Sequence, residues 1–92
     1  MTEIARSVRV TGKVQGVWFR GWTQETALAR GLRGWVRNEA DGSVSVLLIG
    51  QEAAVAGMVR ALHCGPPAAQ VRQVDVKETD MQDLGTGFEV RY

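Results

Sequence analysis

The residues best suited to chemistry lie between Gly12 and Arg20, in a segment that leads from a predicted strand into a predicted helix. The first backbone N–H groups of a helix have no partner within the helix, and they can converge on a bound phosphate. Gly16 gives the loop backbone conformations that other residues avoid. Arg20 falls in the first helical turn, where its planar guanidinium is able to bind two oxygens of the same phosphate. The segment therefore predicts a phosphate-binding loop.

The position of Arg20 is informative because a cation at the start of a helix is unfavourable. Repulsion by the helix dipole typically costs about 0.3–1 kcal/mol unless an anion lies in front of the cation. The residues alone leave a second interpretation open, in which Arg20 is a solvated surface side chain and the glycines are ordinary turn residues. The segment is not a nucleotide-binding P-loop, because it lacks the Gly-Lys-Ser/Thr sequence and any residue suited to hold Mg²⁺.

The elements that position this segment follow from apolar periodicity and from the places of glycine and proline. Alternation of apolar and polar residues predicts strands, and the apolar residues at 55, 58, 59 and 62 have the spacing of an amphipathic helix. Asp41-Gly42 favours a tight hairpin turn, and Gly65-Pro66 ends the second helix. The predicted strands are at about 6–11, 34–38, 43–49, 71–76 and 88–92, and the predicted helices at about 19–30 and 52–63.

The order of these elements is βαββαβ with one further strand at the end. Its simplest packing is a single antiparallel sheet with both helices on one face, an α+β arrangement of the ferredoxin-like type. We expect one domain over residues 1–92, since a chain of this length leaves no room for two. Many unrelated functions occur on this fold, so the fold alone does not predict an activity.

Composition narrows the class of protein. The net charge is only +1, with 11 Lys and Arg against 10 Asp and Glu, which argues against a dedicated nucleic-acid binder. A single cysteine, Cys64, cannot form an intrachain disulfide and favours a reducing compartment. The longest apolar run, Val46–Ile49, is too short to span a bilayer, and the first residues lack the apolar run of a signal peptide. We therefore expect a cytoplasmic protein without a membrane partner, and by default a monomer.

Two long runs of this sequence resemble the signatures of the acylphosphatase family. The run from Gly12 to Arg20 resembles the first signature at every fixed position, and the run from Gly34 to Gly50 resembles the second. Gly65-Pro66-Pro67-Ala68 and Phe88–Tyr92 are similar to later landmarks of the family, so the resemblance covers nearly the whole chain. Its one oddity is Arg30, where the first helix is expected to have an apolar residue, and this concerns packing rather than chemistry.

The resemblance implies an enzyme that hydrolyses small-molecule acyl phosphates to a carboxylate and inorganic phosphate. It assigns phosphate binding to Arg20, and the placing of the attacking water to Asn38. It implies neither a metal ion, nor a cofactor, nor a covalent intermediate. The backbone amides that it places around the phosphate are those of Gln15, Gly16, Val17, Trp18 and Phe19.

Other reactive or aromatic residues have simpler interpretations. His63 and Cys64 are adjacent on the second helix and so point in different directions, which disfavours a nucleophilic pair; Cys64 alone is expected to fill a small buried or half-buried space. The tryptophans at 18, 22 and 35 could form an aromatic patch for an acyl group or a stacked base, but core or semi-exposed packing is the role we expect. Trp18 lies inside the loop and is also placed to wall the site. The acidic stretch Asp75, Glu78, Asp80 and Asp83 is too irregular for a metal loop.

The sequence is also open to two alternatives to an enzyme. A phosphate- or carboxylate-sensing module would keep the loop without turnover, but such a module needs Arg20 and has no need of Asn38. An RNA-recognition module shares the element order and stacks bases on aromatic residues of its first and third strands. Those strands contain no aromatic residue in this chain, at Ser7–Val10 and at Val44–Leu47, which nearly excludes the second alternative.

Overall fold

The computed structural model describes residues 3–81 and 85–91, which form five strands and two helices. No helix in these ranges is long and apolar enough to cross a membrane. Two predictions, Tyr92 at the end of the last strand and Asp83 in the acidic stretch, lie outside the described residues. The elements are β1 Glu3–Lys13, α1 Phe19–Ala29, β2 Arg33–Asn38, β3 Val44–Gln51, α2 Glu52–Cys64, β4 Gln70–Glu78 and β5 Phe88–Arg91.

The strands form one sheet in the order β4-β1-β3-β2-β5. Three of its pairings are antiparallel, and β5 pairs with β2 in parallel, with Gly34 opposite Phe88 and Val36 opposite Val90. The predicted ferredoxin-like α+β class is confirmed, but the sheet is mixed rather than wholly antiparallel. Alternation of residue types showed which face of β5 is buried, and it carries no information on which edge of the sheet the strand joins.

Both helices pack on one face of the sheet, as predicted. Phe19 and Ala27 of α1 and Met58 of α2 share one buried cluster with sheet residues such as Val8 and Val36. On the opposite face, Ala5, Leu47 and Ile49 form a smaller cluster with the half-buried Trp35. The helix-covered face therefore carries the main core, and residues of β2 alternate between the two sides.

Arg30 does not interrupt the packing of α1. The helix ends at Ala29, and Arg30 is the exposed residue that follows it. Its guanidinium lies across Gly57 of α2, where an added Cβ would be 2.6 Å from Arg30 Nη1. The absence of a side chain at Gly57 leaves room for this guanidinium, and Arg30 as a whole stays exposed to water. The position thus needs no apolar residue.

A bulge in β4 lies opposite the end of β1, close to where the loop begins. Thr11 pairs with Gln73 and Gly12 with Val71, so Arg72 is the extra residue, and the apolar residues Val71 and Val74 on either side of it do not alternate with a period of two. Gly12 has φ 123°, and a Cβ there would lie 2.2 Å from the carbonyl oxygen of Gln70. A glycine is required by both the backbone angle and the close approach of β4.

Candidate active site

The loop between β1 and α1, residues 14–18, is fixed at its start by the fully buried Val14. Gly16 and Trp18 both have left-handed backbone angles, with φ 73° and φ 64°. Left-handed residues in a loop turn successive N–H groups towards one concave side, and this arrangement is a known way of binding anions. The loop leads directly into the first turn of α1, which contains no acidic residue.

A cavity of about 420 Å³ lies against this loop and contains most of the predicted site residues. Arg20 of α1 and Asn38 of β2 both line it, although they are 18 positions apart in the chain and belong to different elements. Val17 does not line it, because its side chain packs against the core, so the role predicted for its backbone N–H stays a prediction. The lining residues are Val14, Gln15, Gly16, Trp18, Phe19, Arg20, Gly21, Gln24, Asn38 and Val90.

A larger cavity, of about 670 Å³, lies elsewhere and shares none of these lining residues. It is lined by Arg9, Lys13 and Arg72 among others, with Asp41 as its carboxylate. Asp41 forms an ion pair with Arg9, and none of the predicted site residues borders this cavity. The smaller cavity is the candidate active site because it joins a loop with left-handed backbone angles, a guanidinium and a side-chain amide.

Arg20 is half-buried and extends from α1 towards the edge strand β5. Its Nη1 atom lies 3.4 Å from the carbonyl oxygen of Arg91, to which it donates a long hydrogen bond. This contact holds the guanidinium beside the cavity. As the sequence predicted, Arg20 itself lies in the first turn of α1. The guanidinium and the N-terminal end of the helix thus border the same cavity.

Asn38 reaches the cavity because it is the last residue of β2 and its side chain is on the helix-covered face. Val36, two residues earlier, lies on that face in the core, and strand residues two apart share a face. The Asn38 Oδ1 atom is buried and has no hydrogen-bond partner among the described residues. A buried acceptor without a partner typically costs about 1–3 kcal/mol, so its presence calls for an explanation.

Gln15 connects the loop to the hairpin that follows Asn38. Its Nε2 atom donates to the carbonyl oxygens of Glu39 and Ser43, at 2.8 and 2.9 Å. The turn itself is closed by a backbone hydrogen bond from Glu39 N–H to the Ser43 carbonyl, at 2.8 Å. Sequence analysis named Gln15 for its backbone amide and missed this role of the side chain, which nothing in its local spacing indicates.

Two carboxylates near this hairpin are stabilised in the ionised form. Hydrogen bonds from the hydroxyl and backbone N–H of Ser43, together with the nearby Arg9, lower the pKa of Asp41. Hydrogen bonds from Ser45 and then from Arg37 lower the pKa of Glu39. Neither carboxylate lines the candidate cavity, and none of the described residues that line it is Asp, Glu, His or Cys.

The three tryptophans occupy three separate environments. Trp18 borders the cavity, whereas Trp22 packs edge-to-face against Phe19 with ring centroids 5.5 Å apart. Trp35 lies on the other face of the sheet, with the guanidiniums of Arg37 and Arg91 near its ring. Of the three, Trp18 is the one that walls the cavity, as its place in the loop predicted.

The prediction for Cys64 was wrong. It is exposed rather than buried or half-buried, because it is the last residue of α2 and lies beyond Leu62, the final buried residue of that helix. Neither Cys64 nor His63 lines the candidate cavity. This placement agrees with the interpretation that the two residues do not act as a nucleophilic pair.

Comparisons with known proteins agree with this architecture. The acylphosphatase family model matches residues 6–90. The acylphosphatase of Rhodospirillum rubrum is 59% identical over 69 residues, which cover 75% of this chain and 76% of that protein. Solved structures of acylphosphatases from Coxiella burnetii and Bacillus subtilis are each 36% identical to this chain and superpose with a TM-score of 0.92. Those two alignments cover 97% of this chain and 93% and 99% of the other chains. The resemblance found in the sequence is thus confirmed, and the chain belongs to the acylphosphatase family, the enzymes that hydrolyse acyl phosphates.

Proposed function

We propose that this chain hydrolyses acyl phosphates without a metal ion, by in-line attack of water on the phosphorus atom. In this proposal Arg20 and the backbone N–H groups of residues 15–19 bind the phosphate, and Asn38 holds the attacking water. The observation that carries the proposal is that Arg20, Asn38 and most of the loop line one cavity. Water and leaving group then have to lie on opposite sides of a phosphate held in that cavity.

Phosphate binding is supported by charge and by the local backbone. Unpaired N–H groups at the start of α1 and the positive end of its dipole both favour an anion. Arg20 adds a full positive charge, and the first turn of the helix has no acidic residue to oppose it. Hydrogen bonds to a charged group typically contribute about 1.5–3 kcal/mol each, so a few of them suffice for firm binding.

The leaving group makes a general acid unnecessary. A carboxylic acid has a pKa of about 4, so the carboxylate leaves unprotonated at neutral pH. Phosphoryl transfer depends chiefly on positioning and on stabilising charge on the equatorial oxygens, which N–H groups and a guanidinium supply. The described residues that line the cavity offer no carboxylate, which is the ligand type that Mg²⁺ prefers in proteins.

The proposed step forms a bond between the water oxygen and phosphorus and breaks the bond between phosphorus and the acyl oxygen. The electron pair of the broken bond leaves with the carboxylate. The proton of the water passes to a phosphate oxygen, since the described lining residues include no Asp, Glu, His or Cys to accept it. Asn38 suits the remaining task, because an amide has both a donor and an acceptor and its Oδ1 has no other partner among the described residues.

An assay with benzoyl phosphate tests this proposal directly. We expect release of benzoate well above the rate of spontaneous hydrolysis, and little release of p-nitrophenol from p-nitrophenyl phosphate, whose leaving group is poorer. Phosphate binding without turnover would contradict the proposal and favour a phosphate sensor.

Metal independence has its own measurement. We expect the rate with benzoyl phosphate to be unchanged after dialysis against EDTA, because the residues around the cavity supply the positive charge themselves. A loss of activity that added Mg²⁺ restores would contradict this part of the proposal.

We also infer that the chain acts as a cytoplasmic monomer on small acyl phosphates. The reducing compartment is supported by the single cysteine, and the monomer by a candidate cavity that residues of one chain line by themselves. Light scattering of the purified protein tests the oligomeric state, and a mass twice that of the chain would contradict it.

A further inference from the structure

Trp18 combines an unusual backbone conformation with an exposed side chain. Among the described residues it is the only one other than glycine with positive φ, at 64°. The residue is also 58% exposed, although its side chain is large and apolar. Bulky residues rarely adopt this conformation, and where they do, the strained position is often part of a functional site.

The indole has a defined place against α1. It lies across Gly21, where an added Cβ would be 2.2 Å from Trp18 Nε1 and 2.8 Å from Cδ1. Gly21 has no positive φ and sits inside the helix, so its backbone angle does not require a glycine. The absence of a side chain at Gly21 is what leaves room for the ring at the edge of the cavity.

The other apolar residues around the cavity are less accessible. Val14 is completely buried, Phe19 is 2% exposed, and Val90 is half-buried. Among the described lining residues, Trp18 is therefore the large apolar side chain that an incoming molecule meets. In the proposed function the loop and Arg20 hold the phosphate, so the acyl group has to extend from the phosphate towards the open side of the cavity. The indole borders that path.

We propose that Trp18 binds the acyl group, and that the site thereby favours acyl phosphates with a flat aromatic acyl group over those with a small aliphatic one. This inference rests on the proposed function, because it names the substrate class of the same cavity. Aromatic rings gain from offset or edge-to-face contact beyond the burial of apolar area, and a methyl group has too little surface to make such a contact.

The test compares an aromatic and an aliphatic ligand of the same charge. Benzoyl phosphate and acetyl phosphate give a ratio of kcat/KM values. Their non-hydrolysable analogues, 2-oxo-2-phenylethylphosphonate and 2-oxopropylphosphonate, give a ratio of Kd values by calorimetry. We expect Trp18→Gly to reduce the preference for the aromatic member of each pair by about three- to tenfold, the size of a typical aromatic pair contact. Trp18→Phe should keep most of the preference.

Two further variants separate the indole from the fold. Gly21→Ala keeps the tryptophan but displaces its ring, so the preference should fall as it does in Trp18→Gly. Trp35→Phe changes a tryptophan on the other face of the sheet and should leave both ratios unchanged. Glycine adopts the backbone angle of residue 18 without steric cost, and alanine favours a helix, so Trp18→Gly and Gly21→Ala should keep their thermal unfolding temperatures.

The inference is overturned if Trp18→Gly weakens the two analogues equally or leaves the ratio unchanged, or if Gly21→Ala keeps the full preference. Absence of turnover in the unaltered protein would instead refute the proposed function, while the ratio of analogue affinities would still decide the role of Trp18. Failure of both analogues to bind would overturn the two proposals together.

Discussion

At the scale of single residues, the proposal divides the chemistry between two side chains from different elements. Arg20 supplies charge at the start of α1, and Asn38 supplies an amide at the end of β2. They border one cavity, but their surroundings differ: Arg20 donates to the Arg91 carbonyl, whereas Asn38 Oδ1 has no partner in the described part of the chain. A charged donor and an unpaired amide acceptor suit phosphate and water respectively.

Replacement of the guanidinium should affect binding and catalysis together. We expect Arg20→Gln to weaken inhibition by inorganic phosphate and to lower kcat/KM for benzoyl phosphate by at least about 100-fold, the usual effect of losing a donor to the developing charge. Steady-state kinetics with phosphate as competitive inhibitor measures both. Arg60→Gln makes the same change in charge on the exposed side of α2 and should have no effect. Unaltered phosphate inhibition in Arg20→Gln would show that another group binds the phosphate.

At the scale of elements, the site depends on how the loop after β1 is held against the β2–β3 hairpin. Gln15 makes this connection through two hydrogen bonds, to the carbonyl oxygen of Glu39, which follows Asn38, and to that of Ser43 at the other end of the turn. Each of these oxygens also accepts a backbone hydrogen bond within the turn, so the hairpin can close without Gln15. The side chain of Gln15 therefore positions the loop relative to Asn38 more than it stabilises the turn.

Removal of this connection should lower kcat as well as stability. We expect Gln15→Met, which keeps the length of the side chain, to cost about 1–3 kcal/mol for two hydrogen bonds and to reduce kcat for benzoyl phosphate by tenfold or more. Urea unfolding and kinetics below the unfolding transition measure the two effects. Gln73→Met, in an exposed glutamine of β4, is the matched control. A loss of stability with unchanged kcat would show that the contact is only structural.

The sequence predicted most elements but not all of their relations. The apolar stripe of α2 and the Gly65-Pro66 stop are strong local signals, and the helix lies within one residue of its prediction. Local patterns do not encode contacts with residues distant in the chain, such as the parallel pairing of β5 and the side-chain hydrogen bonds of Gln15. Nor do they encode side-chain rotamers, which determine that the Trp18 indole packs on Gly21. Asn38 was identified through its resemblance to a family, since an asparagine at the end of a strand is by itself unremarkable.

At the scale of the whole molecule, two carboxylates of the β2–β3 hairpin make the stability of the folded protein depend on pH. The pKa values of Asp41 and Glu39 are lowered in the folded protein by hydrogen bonds from Ser43 and Ser45 and by nearby arginines. A carboxylate with a lowered folded pKa contributes stability above its unfolded pKa, and the contribution is lost as pH falls through the folded value. The loss should therefore begin near the reference values of 4.5 for Glu39 and 3.8 for Asp41 and continue below them.

Urea unfolding at several pH values tests this dependence. We expect the midpoint for the unaltered protein to be steady above about pH 5 and to fall as the pH decreases further, because the unfolded chain then binds protons first. Asp41→Asn should reduce the steepness of that fall. Asp75→Asn controls for the loss of one negative charge on the sheet. An equally steep fall in Asp41→Asn and in the unaltered protein would contradict this role for Asp41.

The most direct test of the central claim is the effect of Asn38→Ala on two constants measured in one experiment: kcat for benzoyl phosphate and the inhibition constant of inorganic phosphate. If Asn38 holds the attacking water, kcat should fall by about 100-fold or more, while the phosphate constant should stay within about twofold, because the loop and Arg20 are intact. Parallel losses in both constants, or an unchanged kcat, would contradict the division of labour between Asn38 and Arg20.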